Sequence, residues 1–177
     1  MERSGSPPGT GPPPEAPVRV REATLADVDA ILELVVAVAG EGRWIGTEAP
    51  VDLEARRRRL VEGIEGADTI ALVAETGGEP VGQLDLRLAP YGVADLGMLV
   101  AAGWRGRGVG TALLAEGIER ARTAGAHKIA LQVWPHNAAA IALYERFGFQ
   151  REGYLRRHYR RRSGERWDAV IMGLPLD

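Results

Sequence analysis

Arg105-Gly106-Arg107-Gly108-Val109-Gly110 stands between an apolar run, residues 94–100, and an amphipathic run, residues 111–124. The apolar run is predicted as a strand and the amphipathic run as a helix. A glycine-rich turn that opens a helix gathers unpaired backbone N–H groups at the positive end of the helix dipole. That arrangement receives a phosphate or diphosphate. Glycine lets such a ligand approach the backbone, and Arg105 and Arg107 add positive charge. The spacing narrows the ligand. A Walker loop ends in Gly-Lys-Ser/Thr, whereas Gly110 leads into Thr111 with no lysine before it. A dinucleotide fingerprint on Gly106 and Gly108 needs glycine where Thr111 stands, and a place in the first unit of a parallel sheet. A purely structural turn is the plain alternative.

Working outward, the elements read in the order β-α-α-β-β-β-α-β-α-β-β. Residues 18–22 alternate as a strand, and Thr24-Leu25-Ala26-Asp27 resembles a capping box with Asp in place of Glu or Gln. The helix that follows is expected to carry Leu25, Val28, Ile31, Leu32, Val35 and Val36 on one face and to end at Gly40. Residues 41–50 form a loop with Trp44 and Ile45, and residues 52–64 a second helix with four consecutive arginines, Arg56 to Arg59. Gly77-Gly78 turns a hairpin between residues 69–75 and 80–88. After the glycine turn and its helix come a strand at 128–134, a helix at 137–147 closed by Gly148, and a final hairpin around Ser163-Gly164. This order predicts an α/β (α+β) domain: a mixed, mostly antiparallel sheet of about seven strands flanked by about four helices. Residues 1–17, rich in Pro, Gly and Ser, are expected to be a disordered tail, and residues 18–177 a single domain.

Composition excludes other classes. The 177 residues carry no cysteine, so a disulfide framework, a thiol nucleophile and a cysteine zinc site are impossible. Three histidines, His127, His136 and His158, without an H-E-x-x-H pattern, give no expected metal. The net charge of −2 gives no general pull toward nucleic acid or anionic membrane, and no apolar run spans a bilayer. The expected location is cytoplasmic.

A later stretch sharpens the phosphate ligand. Asn137-Ala138-Ala139-Ala140-Ile141-Ala142-Leu143-Tyr144-Glu145-Arg146-Phe147-Gly148-Phe149 follows the next strand. With the loop Arg105 to Gly110, which matches the pattern Q/R-x-x-G-x-G/A in full, this pairing resembles the GNAT superfamily of acyl-CoA-dependent N-acetyltransferases. Asn137, Tyr144, Gly148 and Phe149 match its second signature, and the order of elements agrees from about residue 18 onward. The second signature looks most like bacterial enzymes acting on protein N-termini or free amino acids.

The resemblance implies acetyl-CoA as co-substrate, without a metal. It implies acetyl transfer by direct attack of a primary amine, on a small molecule or a peptide or protein N-terminus. Backbone amides of Arg107, Gly108, Val109, Gly110 and Thr111 would hold the diphosphate. A bulged strand splaying from its neighbour would offer Met98, Leu99 and Val100 to the pantetheine arm, with an N–H near Leu99 or Val100 for the oxyanion. Asn137 would bond the pantetheine or a turn. Tyr144 stands at the family's general-acid position, and a phenol of ordinary pKa of about 10 is protonated at neutral pH. A packed core aromatic is the plain alternative for Tyr144.

The general base is open in the sequence. Gln132 occupies the position of a family Glu and takes no proton. Glu41, Glu48, Asp85, Asp95 and His136 are substitutes, as is a water chain with no single base. Trp44 walls an acceptor pocket or covers the core. The run Arg156-Arg157-His158-Tyr159-Arg160-Arg161-Arg162 grips an acidic acceptor or RNA, or is simply a solvated hairpin. Arg56 to Arg59 span all faces of a helical turn and are expected largely in solvent, with room for one to face the cleft. The alternatives to an enzyme are a non-catalytic CoA-binding or sensor module and, opposed by the net charge, a nucleic-acid-binding domain. A homodimer is the assembly the resemblance allows.

Overall fold

The computed structural model describes residues 17–176. The expected tail therefore lies outside the described residues, apart from Pro17. The elements are β1 (Arg19–Glu22), a 3-10 turn (Leu25–Asp27), α1 (Val28–Gly40), α2 (Leu53–Glu65), β2 (Thr69–Thr76), β3 (Glu79–Leu88) and β4 (Val93–Val100). A second 3-10 turn (Ala102–Trp104) leads to α3 (Val109–Thr123), β5 (Lys128–Val133), α4 (Ala138–Arg146), β6 (Gln150–Arg160) and β7 (Arg166–Pro175). The strands form one seven-stranded sheet in the order β1-β2-β3-β4-β5-β7-β6. β4 and β5 run parallel, and the other neighbours are antiparallel. This is the expected mixed sheet.

The capping box forms: the Thr24 N–H and hydroxyl both donate to Asp27, at 2.7 and 2.9 Å. Val28, Ile31, Leu32, Val35 and Val38 of α1 are buried as its period requires. Two residues assigned to that face are not: Leu25 is 51% and Val36 42% exposed. Leu25 lies in the 3-10 turn, outside the α-helical phase, and Val36 is one residue, about 100°, round from Val35. α1 ends at Gly40, as expected. The chain reverses at Gly42, whose φ is +65°.

α1 and α2 cover one face of the sheet, packing on Val73 and Leu99. α3 and α4 cover the other, over Leu72, Leu84, Leu86, Ile129 and Met172. α3 lies unusually close to the sheet. A Cβ on Gly82 would stand 2.9 Å from Val109 and one on Gly117 3.0 Å from Leu84, so glycine at both positions sets the helix depth.

β4 keeps an unbroken register with β3, from Leu88↔Ala94 to Gly82↔Val100. The bulge expected on this strand is therefore absent from its ladder with β3. The splay is present. β4 pairs with β5 only at Val93↔Lys128, Ala94↔Ile129 and Asp95↔Ala130, after which β5 continues against β7 alone. From Leu96 onward a wedge opens between two parallel strands, and α3 begins at its mouth.

Candidate active site

Gly106 and Gly108 take left-handed φ values of +72° and +83°. A side chain is strained there, which explains glycine at both. Gly108 is the N-cap of α3 and supplies no side-chain cap. The first intrahelical bond runs from the Ala112 N–H to the Gly108 carbonyl at 2.9 Å. The N–H groups of Val109, Gly110 and Thr111 therefore point out of the helix start without an intrahelical acceptor, as an anion site requires. Gly110 also has a packing reason, since a Cβ there would meet Leu143 at 3.1 Å. Arg107 stacks on Trp104, 5.2 Å from the ring centre. Arg105, expected to add charge to the loop, turns away. It binds Glu41 through two N–H···O bonds of 2.7 and 2.6 Å and donates its Nε–H to the Val100 carbonyl at 3.0 Å.

The wedge has a fixed polarity. The Ala101 N–H bonds the Val81 carbonyl at 2.9 Å, and the Gly92 carbonyl accepts from His127 at 2.9 Å. Backbone groups alternate sides along a strand, so odd-numbered residues of β4 address β3 and even-numbered ones address β5. Leu99, grouped by sequence with Met98 and Val100, thus turns its N–H and C=O to β3 and its side chain into the α1/α2 core. The edge facing the wedge belongs to Leu96, Met98 and Val100.

On the α3/α4 side Tyr144 is buried, 6% exposed, with its ring 5.5 Å from Phe149. Burial disfavours the phenolate and pushes its pKa up to about 12. Asn137 caps α4, its Oδ1 accepting from the Ala140 N–H at 3.3 Å.

The opposite side of the wedge is walled by aromatics. Trp134 makes edge-to-face contacts with Tyr159 and Trp167 at 5.1 and 5.3 Å, and His136 lies 5.2 Å from Trp167 and 6.3 Å from Trp44. Tyr159 donates to the Gln132 side chain at 2.5 Å. The arginine hairpin is not simply solvated. Arg161 is buried, stacks on Trp167 at 4.3 Å, donates to the Gly46 carbonyl at 3.2 Å and pairs with Glu48 at 3.3 Å. Arg162 donates its backbone N–H to Glu48 and its guanidinium to the Pro50 carbonyl at 3.0 Å. The hairpin thereby locks the α1–α2 loop in place, while Arg156 and Arg157 remain exposed.

These contacts sort the candidate bases. Glu41 is held below the usual carboxylate range, first by the hydrogen bonds from Arg105 and then by that from Trp44. Glu48 is occupied by Arg161 and Arg162. The His136 Nε2 lies 2.9 Å from the Arg43 carbonyl, which leaves Nδ1 as the accepting nitrogen. Asp95 is exposed, opposite Arg87. Asp85 lies largely buried on the α1/α2 face, and burial pushes its pKa up while Arg56 and Arg87 oppose the shift.

The model of the Acetyltransferase (GNAT) family matches residues 33–149. The chain belongs to the GNAT acetyltransferases. It is 31% identical over 165 residues to an L-methionine sulfoximine/L-methionine sulfone acetyltransferase of Pseudomonas aeruginosa, spanning 89% of this chain and 94% of the relative. It is 44% identical over 70 residues to the ribosomal protein bS18-alanine N-acetyltransferase of Escherichia coli, spanning 40% of this chain and 47% of the relative. Among solved structures, a ribosomal-protein-alanine N-acetyltransferase of Brucella melitensis superposes with a TM-score of 0.81 at 33% identity, covering 89% of this chain and 99% of that one. An acetyltransferase from Salmonella typhimurium with its cofactor acetyl-CoA shares the fold, with a TM-score of 0.80 at 24% identity, covering 92% and 95%.

In this GNAT chain the residues least visible to sequence reasoning are Arg56 and Gln83. Arg56, one of four arginines expected in solvent, turns inward with its Nε buried and without a partner among the described residues. The buried Gln83 Oε1 is likewise without one. An arginine run conceals which member faces the sheet, because helix phase alone separates them. Alternation along residues 81–88 does put Gln83 and Asp85 on one face.

Proposed function

We propose that the protein transfers the acetyl group of acetyl-CoA to a primary amine of a small molecule or of a peptide or protein N-terminus. The observation that carries this reading is the uncapped start of α3, set at the mouth of the wedge between β4 and β5. An anion held by the N–H groups of residues 107–111 places a linear arm directly along the unpaired edge of β4. Met98 with both backbone groups and Val100 with its N–H address that arm as a neighbouring strand would, and Asn137 bonds it through its side-chain nitrogen. An edge N–H of Met98 or Val100 receives the charge that develops on the carbonyl oxygen during attack. Tyr144 holds its proton across the physiological range and gives it to the departing sulfur. Relatives that act on an amino-acid derivative and on a protein alanine both fit this acceptor class.

A non-catalytic CoA-binding module is the second reading, favoured by Gln132 and its bond to Tyr159. Thiol release measured across a panel of amines separates the two, because a module binds acetyl-CoA and yields no free thiol with any of them. Calorimetry with acetyl-CoA tests the common premise, and folded protein that gives no heat overturns it. This reading places the enzyme in the cytoplasm with its co-substrate. It also favours a homodimer through the open edge strand β6, where Tyr154 is 51% exposed. Sizing chromatography tests the dimer.

A further inference from the structure

We infer that the cavity beneath α2 is the acceptor pocket and takes a free amino acid, with Arg56 receiving its carboxylate and Gln83 and Asp85 its α-ammonium group. The inference rests on the acetyltransferase reading above for its reaction, and on the cavity alone for its ligand.

The cavity measures about 440 Å³, enough for one amino acid, and is roofed by α2 and floored by β2 and β3. Arg56, Arg59, Leu60, Ala71, Gln83 and Asp85 line it. The buried Arg56 Nε is a donor with no acceptor, and the buried Gln83 Oε1 an acceptor with no donor. A buried polar atom without a partner is unfavourable, and a bound ligand that answers it removes that cost. The ligand that answers both carries an acceptor at one end and a donor at the other. The charges agree. Arg56 and Asp85 share the cavity without hydrogen bonding to each other, which suits a molecule with a negative end and a positive end. From α2, Arg59 and Glu62 also face the cavity; Asp68 faces it from the turn before β2, and Arg87 from β3.

The positive end lies where chemistry needs it. Asp85 pairs with Gly97 in the β3–β4 register, and its carboxylate lies over that glycine, where a Cβ would stand 3.1 Å from Oδ1. Gly97 is two residues past Asp95, the last β4 residue paired with β5, so Asp85 overlooks the opening of the wedge. There the Asp85 carboxylate takes a proton from the α-ammonium, the N–H electron pair stays on nitrogen, and that lone pair forms the C–N bond at the thioester carbon. The C–S bond then breaks, sulfur leaves as the thiol of coenzyme A with the Tyr144 proton, and the nitrogen's second proton restores Tyr144. Burial, which raises the Asp85 pKa against the pull of Arg56 and Arg87, suits it to accept that proton. A peptide N-terminus carries no carboxylate at this distance from its amine.

The test compares the free amino acids with their carboxamides. Binding is followed by thermal shift and calorimetry on the full chain, and acetyl-CoA is titrated into the same material. The expected result is at least one amino acid that binds tenfold or more tightly than its amide, with Arg56→Gln erasing that ratio. The wild-type comparison needs no variant and so stands even where Arg56→Gln misfolds. Acids and amides that bind alike, a ratio untouched in folded Arg56→Gln protein, or a peptide N-terminus preferred over every free amino acid overturns the pocket. Heat with acetyl-CoA but no acid–amide discrimination removes the pocket and leaves the transferase. Discrimination without heat from acetyl-CoA supports the pocket and removes the transferase.

Discussion

The Arg105 guanidinium clasps the Glu41 carboxylate with two N–H···O bonds while its Nε–H caps the Val100 carbonyl at the wedge edge. One side chain thus ties the strand that leads into the glycine turn to the loop between α1 and α2. Trp44 joins the clasp, donating to Glu41 at 2.7 Å with Arg105 over its ring at 5.4 Å.

Replacing Arg105 by Ala should cost little stability and more activity. Both partners are about a third exposed, 33% and 30%, so screening limits the loss to about 0.5–1 kcal/mol. The loosened α1–α2 loop should lower kcat/KM for the acceptor by about tenfold. Thermal melts and steady-state kinetics check both; a drop in stability alone would remove the clasp from the reaction.

Gly108 should tolerate neither bulk nor charge. Its φ of +83° makes Ala cost about 1–2 kcal/mol, and the carboxylate of Gly108→Asp would repel the diphosphate. Calorimetry should show acetyl-CoA binding weakened at least tenfold for Ala and lost for Asp. Unchanged affinity in either folded variant would displace the anion site from this loop.

Tyr144→Phe should leave acetyl-CoA binding intact and lower kcat by about a hundredfold or more. A full kcat in this variant would strip Tyr144 of its role as acid. Its pKa also predicts alkaline behaviour. The group is raised from 10 to about 12 by burial, so the unfolded chain releases this proton first. Stability attached to Tyr144 is whole below pH 10 and is lost between pH 10 and 12, with a slope the Phe variant lacks.

Asp27 gives the opposite dependence. Arg21 binds it with two bonds of 2.8 Å and, as the chief cause, lowers its pKa from 3.8 to about 2. A depressed carboxyl contributes stability above its unfolded value and loses it as pH falls through the folded one. About 2 kcal/mol should therefore disappear between pH 4 and 2, and Asp27→Asn should abolish that part of the acid transition. Denaturant titrations at a series of acid pH values read it directly.

Gln132→Ala should retain turnover within about tenfold, because an amide that accepts from Tyr159 moves no proton in the reaction. Abolished turnover with acetyl-CoA affinity unchanged would give Gln132 a direct part in the chemistry.

What was legible in the chain was local and periodic. The glycine turn at Arg105 to Gly110 is six consecutive residues, and its glycine spacing is visible without tertiary information. The capping box at Thr24 and Asp27, the hairpin at Gly77-Gly78 and the order of strands and helices follow from neighbours within a few positions. Some of the errors of local reading were errors of phase. Leu25 and Val36 fall outside the buried stripe of α1, and Leu99 differs from Met98 and Val100 by one step of strand alternation.

The amino-acid sequence by itself determined the architecture, the glycine turn at the start of α3 and the family, because each is written in contiguous residues or in their period. Tertiary structure alone decided that Arg105 serves Glu41 rather than a phosphate, that Arg161 is buried under the α1–α2 loop, and that Arg56 meets Gln83 and Asp85. Those encounters join groups 27 to 115 residues apart in the chain, set by sheet register and helix rotation. Nothing in the local sequence encodes such distances. They exist only once burial of the apolar faces has fixed how each helix is turned against the sheet.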